Sequence, residues 1–168
     1  MRVIRTERAP AAIGPYSQAV EANGFLFVSG QIPLTAEGEV VKGGLEEQVH
    51  QVFRNVEAIL DEAGYRLGHV VKVGLFLTDM GQFSLVNRIY EEYLGEVKPA
   101  RFTVEVSSLP RGVNVEMEVT ACLNKFFSTF FEKWSRIFAL YVEIRYIEDF
   151  AYEGVNRCGN YRRSASPG

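Results

Sequence analysis

Residues 44–63 place Leu45, Val49, Val52, Phe53, Val56, Leu60 and Ala63 at helical spacing. These side chains form one apolar stripe with a polar face behind it, so the helix must lie against another apolar surface. Gly64 is a C-terminal stop. A second stripe, Phe83, Val86, Tyr90 and Leu94, predicts a helix over about 80–94, with Asp79 as its N-cap and Gly95 as its end. The segments around these helices alternate with period two. "VIRT", "SQAVEA", "FLFVSG" and "HVVKVGLFLT" read as strands, as do 101–107 and 113–122. Asn23-Gly24 is a hairpin turn pair, and Leu-Pro-Arg-Gly at 109–112 separates the last two strands. In 70–77 the alternation puts Val71, Val73, Leu75 and Leu77 on one face, and Val70, Lys72, Gly74 and Phe76 on the other.

The order is strands, helix, strand, helix, two strands. This is an α+β pattern: one mixed sheet with both helices on one face. The second sheet face keeps many apolar residues and no third helix within 1–123 to cover them. Such a face is buried against another chain, so the sequence predicts an oligomer with sheets packed face to face.

Composition changes at about residue 124. Residues 124–168 hold eleven of the 21 aromatic residues and carry seven Lys or Arg against five Asp or Glu. Of the net −3, the first 123 residues therefore hold −5. Two units follow: a domain over 1–123 and an aromatic-rich extension over 124–168. An acidic domain argues against strong phosphate binding, which needs a basic surface. Cys122 and Cys158 form no disulfide framework and have no metal-ligand spacing. No signal-peptide core or spanning apolar run is present, which predicts a soluble, cytoplasmic protein.

The stretch "VKPARFTVEVSSLPRGVNVEMEV", 97–119, carries the candidate chemistry. Phe102, Val104 and Val106 lie on one side of their strand, with Arg101, Thr103 and Glu105 on the other. Glu116 and Glu118 oppose Val113, Val115, Met117 and Val119 in the next strand. Arg101 and Glu116 are therefore expected to line one polar cleft. A guanidinium grips a carboxylate through two hydrogen bonds, and a glutamate moves a proton to or from water. The plainer reading is two solvated strand charges, worth about 0–1 kcal/mol as a pair. His50 and His69 are expected at the surface.

Six blocks carry a family likeness: "APAAIGPYSQAV" (9–20), "FVSGQIP" (27–33), "QVFRNVEAILDEAG" (51–64), "FLTDMGQFSLVNRIYEEYL" (76–94), "PARFTVEVSSLP" (99–110) and "VEMEV" (115–119). In order and spacing, residues 1–123 resemble the RidA (YjgF-like) family of reactive intermediate deaminases. The resemblance implies a chorismate-mutase-like fold, a homotrimer with inter-subunit active sites, and no cofactor or metal. It implies hydrolysis of enamines and imines such as 2-aminoacrylate, 2-iminopropanoate and 2-iminobutanoate to 2-oxo acids and ammonia.

Residue by residue, the likeness gives Arg101 the substrate carboxylate and Glu116 the hydrolytic water. Tyr16, Ser29, Gly30 and Asn87 become cleft residues, and Thr103 stands where some members carry cysteine. Plainer readings stay open: Tyr16 as a loop anchor, Ser29 as turn chemistry, Asn87 as a satisfied structural amide. Some relatives are linked to RNA cleavage, translation inhibition or chaperone-like binding, which is the alternative function. Residues 124–168 lie outside the pattern. There Phe126, Phe130, Trp134, Phe138 and Tyr141 suggest an amphipathic helix over 125–141 for partner docking or membrane contact; the plainer readings are an extension with no catalytic role or a shifted reading frame at the gene end.

Overall fold

A computed structural model describes residues 1–123. The amphipathic helix expected over 125–141 lies outside the described residues. Six strands form one sheet: β1 (Arg2–Ile4), β2 (Ala19–Ala22), β3 (Phe25–Gln31), β4 (Val70–Leu77), β5 (Ala100–Glu105) and β6 (Val115–Cys122). Helices α1 (Leu45–Ala63) and α2 (Phe83–Leu94) complete the domain. The strand order is β1-β2-β3-β6-β4-β5. Only β4 and β5 pair in parallel; every other pair is antiparallel.

The topology decides where the helices go. Both β3 and β4 run antiparallel to β6, which lies between them, so β3 and β4 point the same way. The chain crosses from β3 through α1 to β4, then from β4 through α2 to β5. Both crossovers join parallel strands and step across the sheet in the same direction. Such crossovers are right-handed in nearly every protein, so the two helices must share one face.

Local signals place the elements. Asn23 and Gly24 both take positive φ, 52° and 80°, and close the β2–β3 hairpin as their sequence requires. At the start of α1 the Glu47 carboxylate accepts from the Gly44 N–H at 2.8 Å, and Gly64 ends the helix at φ 81°. Asp79 caps a short 3-10 turn, Met80–Gln82, accepting from the Gly81 N–H at 2.8 Å, rather than α2 itself. The α2 stripe then starts one turn later, at Phe83.

One strand face departs from its expected alternation. Val70 pairs with Ala121 and Lys72 with Thr120, so Val71 is an extra residue, a β-bulge. The bulge turns Val70 into the core and leaves Val71 exposed, reversing the two faces expected for them. Val73, Leu75 and Leu77 keep the buried face. The histidines also differ from expectation. His50 is half-buried with Nδ1 2.9 Å from the Tyr93 hydroxyl, and the His69 ring nitrogen accepts from the Arg66 N–H at 3.0 Å.

The core lies between helices and sheet, with Val56, Ile59 and Leu60 of α1 and Val86 and Ile89 of α2 against Leu26, Val73, Met117 and Ala121. The far sheet face carries Val3, Phe25, Phe27, Phe102 and Val104, and Phe27 is 51 % exposed. Truncating Ile59 to Ala, at a fully buried position, is expected to cost about 2–5 kcal/mol in urea unfolding, by lost transfer energy plus the cavity left behind.

Candidate functional site

The two residues that chemistry singles out lie on opposite faces of the sheet. Arg101 pairs with Val73 on β4, whose side chain is buried under the helices. Glu116 pairs with Phe76, and Phe76 meets Phe102 edge-on at 5.7 Å on the open face. The expectation that one chain lines a single cleft with both is therefore corrected. Within-strand alternation is right for each, but β4 lies between β5 and β6, and the registers put the two polar sides on different faces.

On the helix side, Arg101 reaches α2. Its Nη1 donates to the Asn87 Oδ1 at 2.9 Å, so the Asn87 amide is an arginine partner in the helix stripe. The guanidinium carbon lies 4.5 Å from the Tyr90 ring centroid and 5.5 Å from that of Phe83. The Tyr90 hydroxyl is buried without a hydrogen-bond partner in the described residues, and burial pushes its pKa up. No carboxylate of the described residues forms an ion pair with Arg101. Asn87, Tyr90, Lys98 and Arg101 line a recess of about 290 Å³. Thr103, partnered with Leu75, sits on the same side of β5, half-buried.

The second group gathers around the bulge in β3. β3 bulges at Ser29-Gly30, where two residues oppose Glu118: Val28 pairs with Val119 and Gln31 with Met117. The bulge brings the Gly30 backbone against the Glu116 carboxylate, and a Cβ at Gly30 would overlap that carboxylate. Glu116 is half-buried; burial first, and the Glu118 charge second, raise its pKa above the usual range. Ser29 donates its hydroxyl to the Ser17 carbonyl at 2.7 Å, tying β3 to the loop before β2. That loop carries Tyr16, which is 53 % exposed and whose hydroxyl accepts from the Ile13 N–H at 3.3 Å.

Two buried amides that the sequence reading passed over support this group. Gln18 accepts from the Thr6 N–H at 2.8 Å and donates to the Pro10 carbonyl at 2.8 Å, fixing both ends of the loop. Asn55 of α1 donates to the Leu34 carbonyl at 2.9 Å. Their signal was an amide flanked by apolar residues, as in Val52-Phe53 and Val56 around Asn55. Tyr16, Gly30, Ile32 and Arg111 line a groove of about 390 Å³ between these supports.

The family model described as Endoribonuclease L-PSP matches residues 6–123. The chain is a member of the RidA family. It is 53 % identical over 120 residues to a RutC family protein of Pyrococcus horikoshii, covering 71 % of this chain and 95 % of that one. It is 47 % identical to yeast Protein MMF1, mitochondrial, over 70 % of this chain and 81 % of the relative. A mouse protein named 2-iminobutanoate/2-iminopropanoate deaminase is 44 % identical over 126 residues, 74 % of this chain and 93 % of the relative. The crystal structure of RidA from an Antarctic Psychrobacter superposes with a TM-score of 0.71 at 39 % identity, over 73 % of this chain and all of that one. The mixed six-stranded sheet with two helices is thus the RidA fold.

Glu116 carries a stability cost. A raised carboxyl pKa means that folding favours the protonated form, so the cost is absent below the ordinary glutamate range. It grows as pH rises through that range and is complete above the raised pKa. Glu116→Gln should therefore match the parent in acid and become the more stable of the two as pH approaches 7, measured by urea midpoints across a pH series.

Proposed function

We propose that this RidA-family chain hydrolyses small enamines and imines bearing a carboxylate, 2-aminoacrylate, 2-iminopropanoate and 2-iminobutanoate among them, to 2-oxo acids and ammonia. The observation that carries the reading is Arg101. Its guanidinium has one hydrogen-bond acceptor and no counter-ion among the described residues, and it lines a recess large enough for a small acid. A carboxylate ligand supplies the missing anion through two parallel hydrogen bonds. The mouse relative's name gives the same substrate class.

The second group supplies the water. Glu116, with its raised pKa, is matched to proton transfer nearer neutral pH than an exposed carboxylate is. The enamine takes a proton at its β-carbon and becomes the imine. Glu116 accepts a proton from water as the water oxygen attacks the imine carbon. Glu116 returns its proton to the nitrogen and the hydroxyl of the resulting carbinolamine gives up the second, so the C–N bond breaks as the C=O bond forms, and ammonia leaves the 2-oxo acid. No cofactor or metal enters this sequence.

Because Arg101 and Glu116 lie on opposite faces of one sheet, the reading needs two copies of the chain. In a homotrimer with open faces packed inward, Arg101 of one copy approaches Tyr16, Gly30 and Glu116 of the next. The exposed Phe27 and Val104 favour this packing, since an open apolar face of this kind is normally an interface. A cytoplasmic location belongs to the same proposal; among the described residues no helix is long and apolar enough to cross a membrane.

Arg101→Ala is expected to lower kcat/KM for 2-aminoacrylate by at least about a hundredfold, by loss of two charge-assisted hydrogen bonds. A serine dehydratase coupled assay following ammonia release measures it, and unchanged turnover would refute the carboxylate role. Glu118→Gln should shift the acid limb of the pH–rate profile to lower pH, because it removes the like charge that helps raise Glu116. Phe27→Asp should reduce the oligomer mass in sedimentation and lower activity with it. Retention of both would contradict burial of the open face.

A further inference from the structure

Arginine is a flexible side chain, and a carboxylate grip needs its planar fork held still. In this fold the holding is done by rings. The Tyr90 ring lies 4.5 Å from the guanidinium carbon, and the Phe83 ring 5.5 Å from it. Both rings belong to α2, each about one turn from the Asn87 amide that accepts from Nη1, Phe83 before it and Tyr90 after it. Tyr90 is itself fixed from behind. It meets Phe53 of α1 edge-on at 6.0 Å, and Phe53 stacks on Tyr93 at 4.1 Å with an interplanar angle of 2°. The guanidinium is thus coupled to the helix–helix core through consecutive ring contacts.

This arrangement uses the guanidinium economically. The guanidinium carbon lies over two ring faces, which accept no hydrogen bond from it in this structure, and Asn87 takes one nitrogen. Donors on the remaining nitrogens have no partner among the described residues. A cation over an aromatic face is attracted by the ring quadrupole without being neutralised, so its charge stays available.

We propose that Tyr90 and Phe83 are positioning residues for substrate binding: their ring faces fix the Arg101 guanidinium in the plane that presents a two-nitrogen edge to the carboxylate. This rests on the carboxylate role of Arg101 stated above. The rings do not touch the reacting atoms, and the Tyr90 hydroxyl, buried without a partner, is not the working group.

The test separates ring from hydroxyl and positioning from folding. Tyr90→Phe keeps the ring and should leave KM for 2-iminopropanoate within about twofold of the parent. Tyr90→Leu removes the face and should raise KM about tenfold while kcat changes far less. The half-buried Phe83→Leu should act in the same direction by a smaller factor. In parallel, the Arg101 Nε–H resonance, assigned by its absence from Arg101→Lys, should be displaced by the ring current. It should keep that position in Tyr90→Phe and move toward that of free arginines in Tyr90→Leu. Equal losses in the Phe and Leu variants would overturn the proposal, as would an unmoved resonance and KM in Tyr90→Leu. Full activity in Arg101→Ala, with the resonance shifts as expected in the Tyr90 variants, would instead sink the carboxylate role and leave the clamp standing as structure.

Discussion

Two right-handed crossovers that step the same way across the sheet govern the molecule. They force α1 and α2 onto one face and leave the other without helical cover. The covered face gains its stability from ordinary burial: Val56, Ile59, Leu60, Val73 and Met117 are almost wholly enclosed. The open face keeps phenylalanine and valine in water at Phe25, Phe27, Phe102 and Val104. Placement of the candidate site follows from the same constraint. A residue on β5 that points toward α2 cannot meet a residue on β6 that points away from it.

The two halves of the site are prepared by opposite electrostatic means. Arg101 keeps its charge unneutralised because its neighbours are ring faces and a neutral amide. Glu116 is held toward its neutral form because burial and Glu118 penalise its charge. The first leaves guanidinium donors open beside the recess. The second makes a carboxyl that keeps its proton to higher pH than an exposed glutamate does, at some cost to the fold. Gly30 is the backbone counterpart of this tuning, since only a residue without a Cβ lets the bulged strand approach the carboxylate.

Much of this was legible in the sequence. The apolar stripe of 44–63 became α1 with each of its seven side chains buried, and Asn23-Gly24 became the hairpin turn. Alternation also gave the correct sides within β5 and β6. What it could not give was the phase between them, because that is set by pairing of each strand with β4 rather than by either strand alone. The bulge at Val71 escaped for a related reason: an extra residue breaks period two without leaving any mark in composition. Phe83 and Tyr90 were visible only as members of an apolar stripe, since a ring that packs on a cation and a ring that packs on leucine look alike in sequence. The RidA family blocks named Arg101, Glu116, Tyr16, Ser29, Gly30, Asn87 and Thr103, and the fold sorts them into two separate groups.

A catalytic centre divided between copies of the chain is the central claim, and subunit complementation tests it most directly. Arg101→Ala and Glu116→Gln chains, each inactive alone, are unfolded together, refolded as a mixture and assayed for 2-aminoacrylate hydrolysis. If Arg101 and Glu116 act from neighbouring copies, about a quarter of the sites in a random mixture carry both native side chains, and activity returns to that extent. Activity that stays at the level of the separate variants, while mixed oligomers are shown to form, would contradict the account.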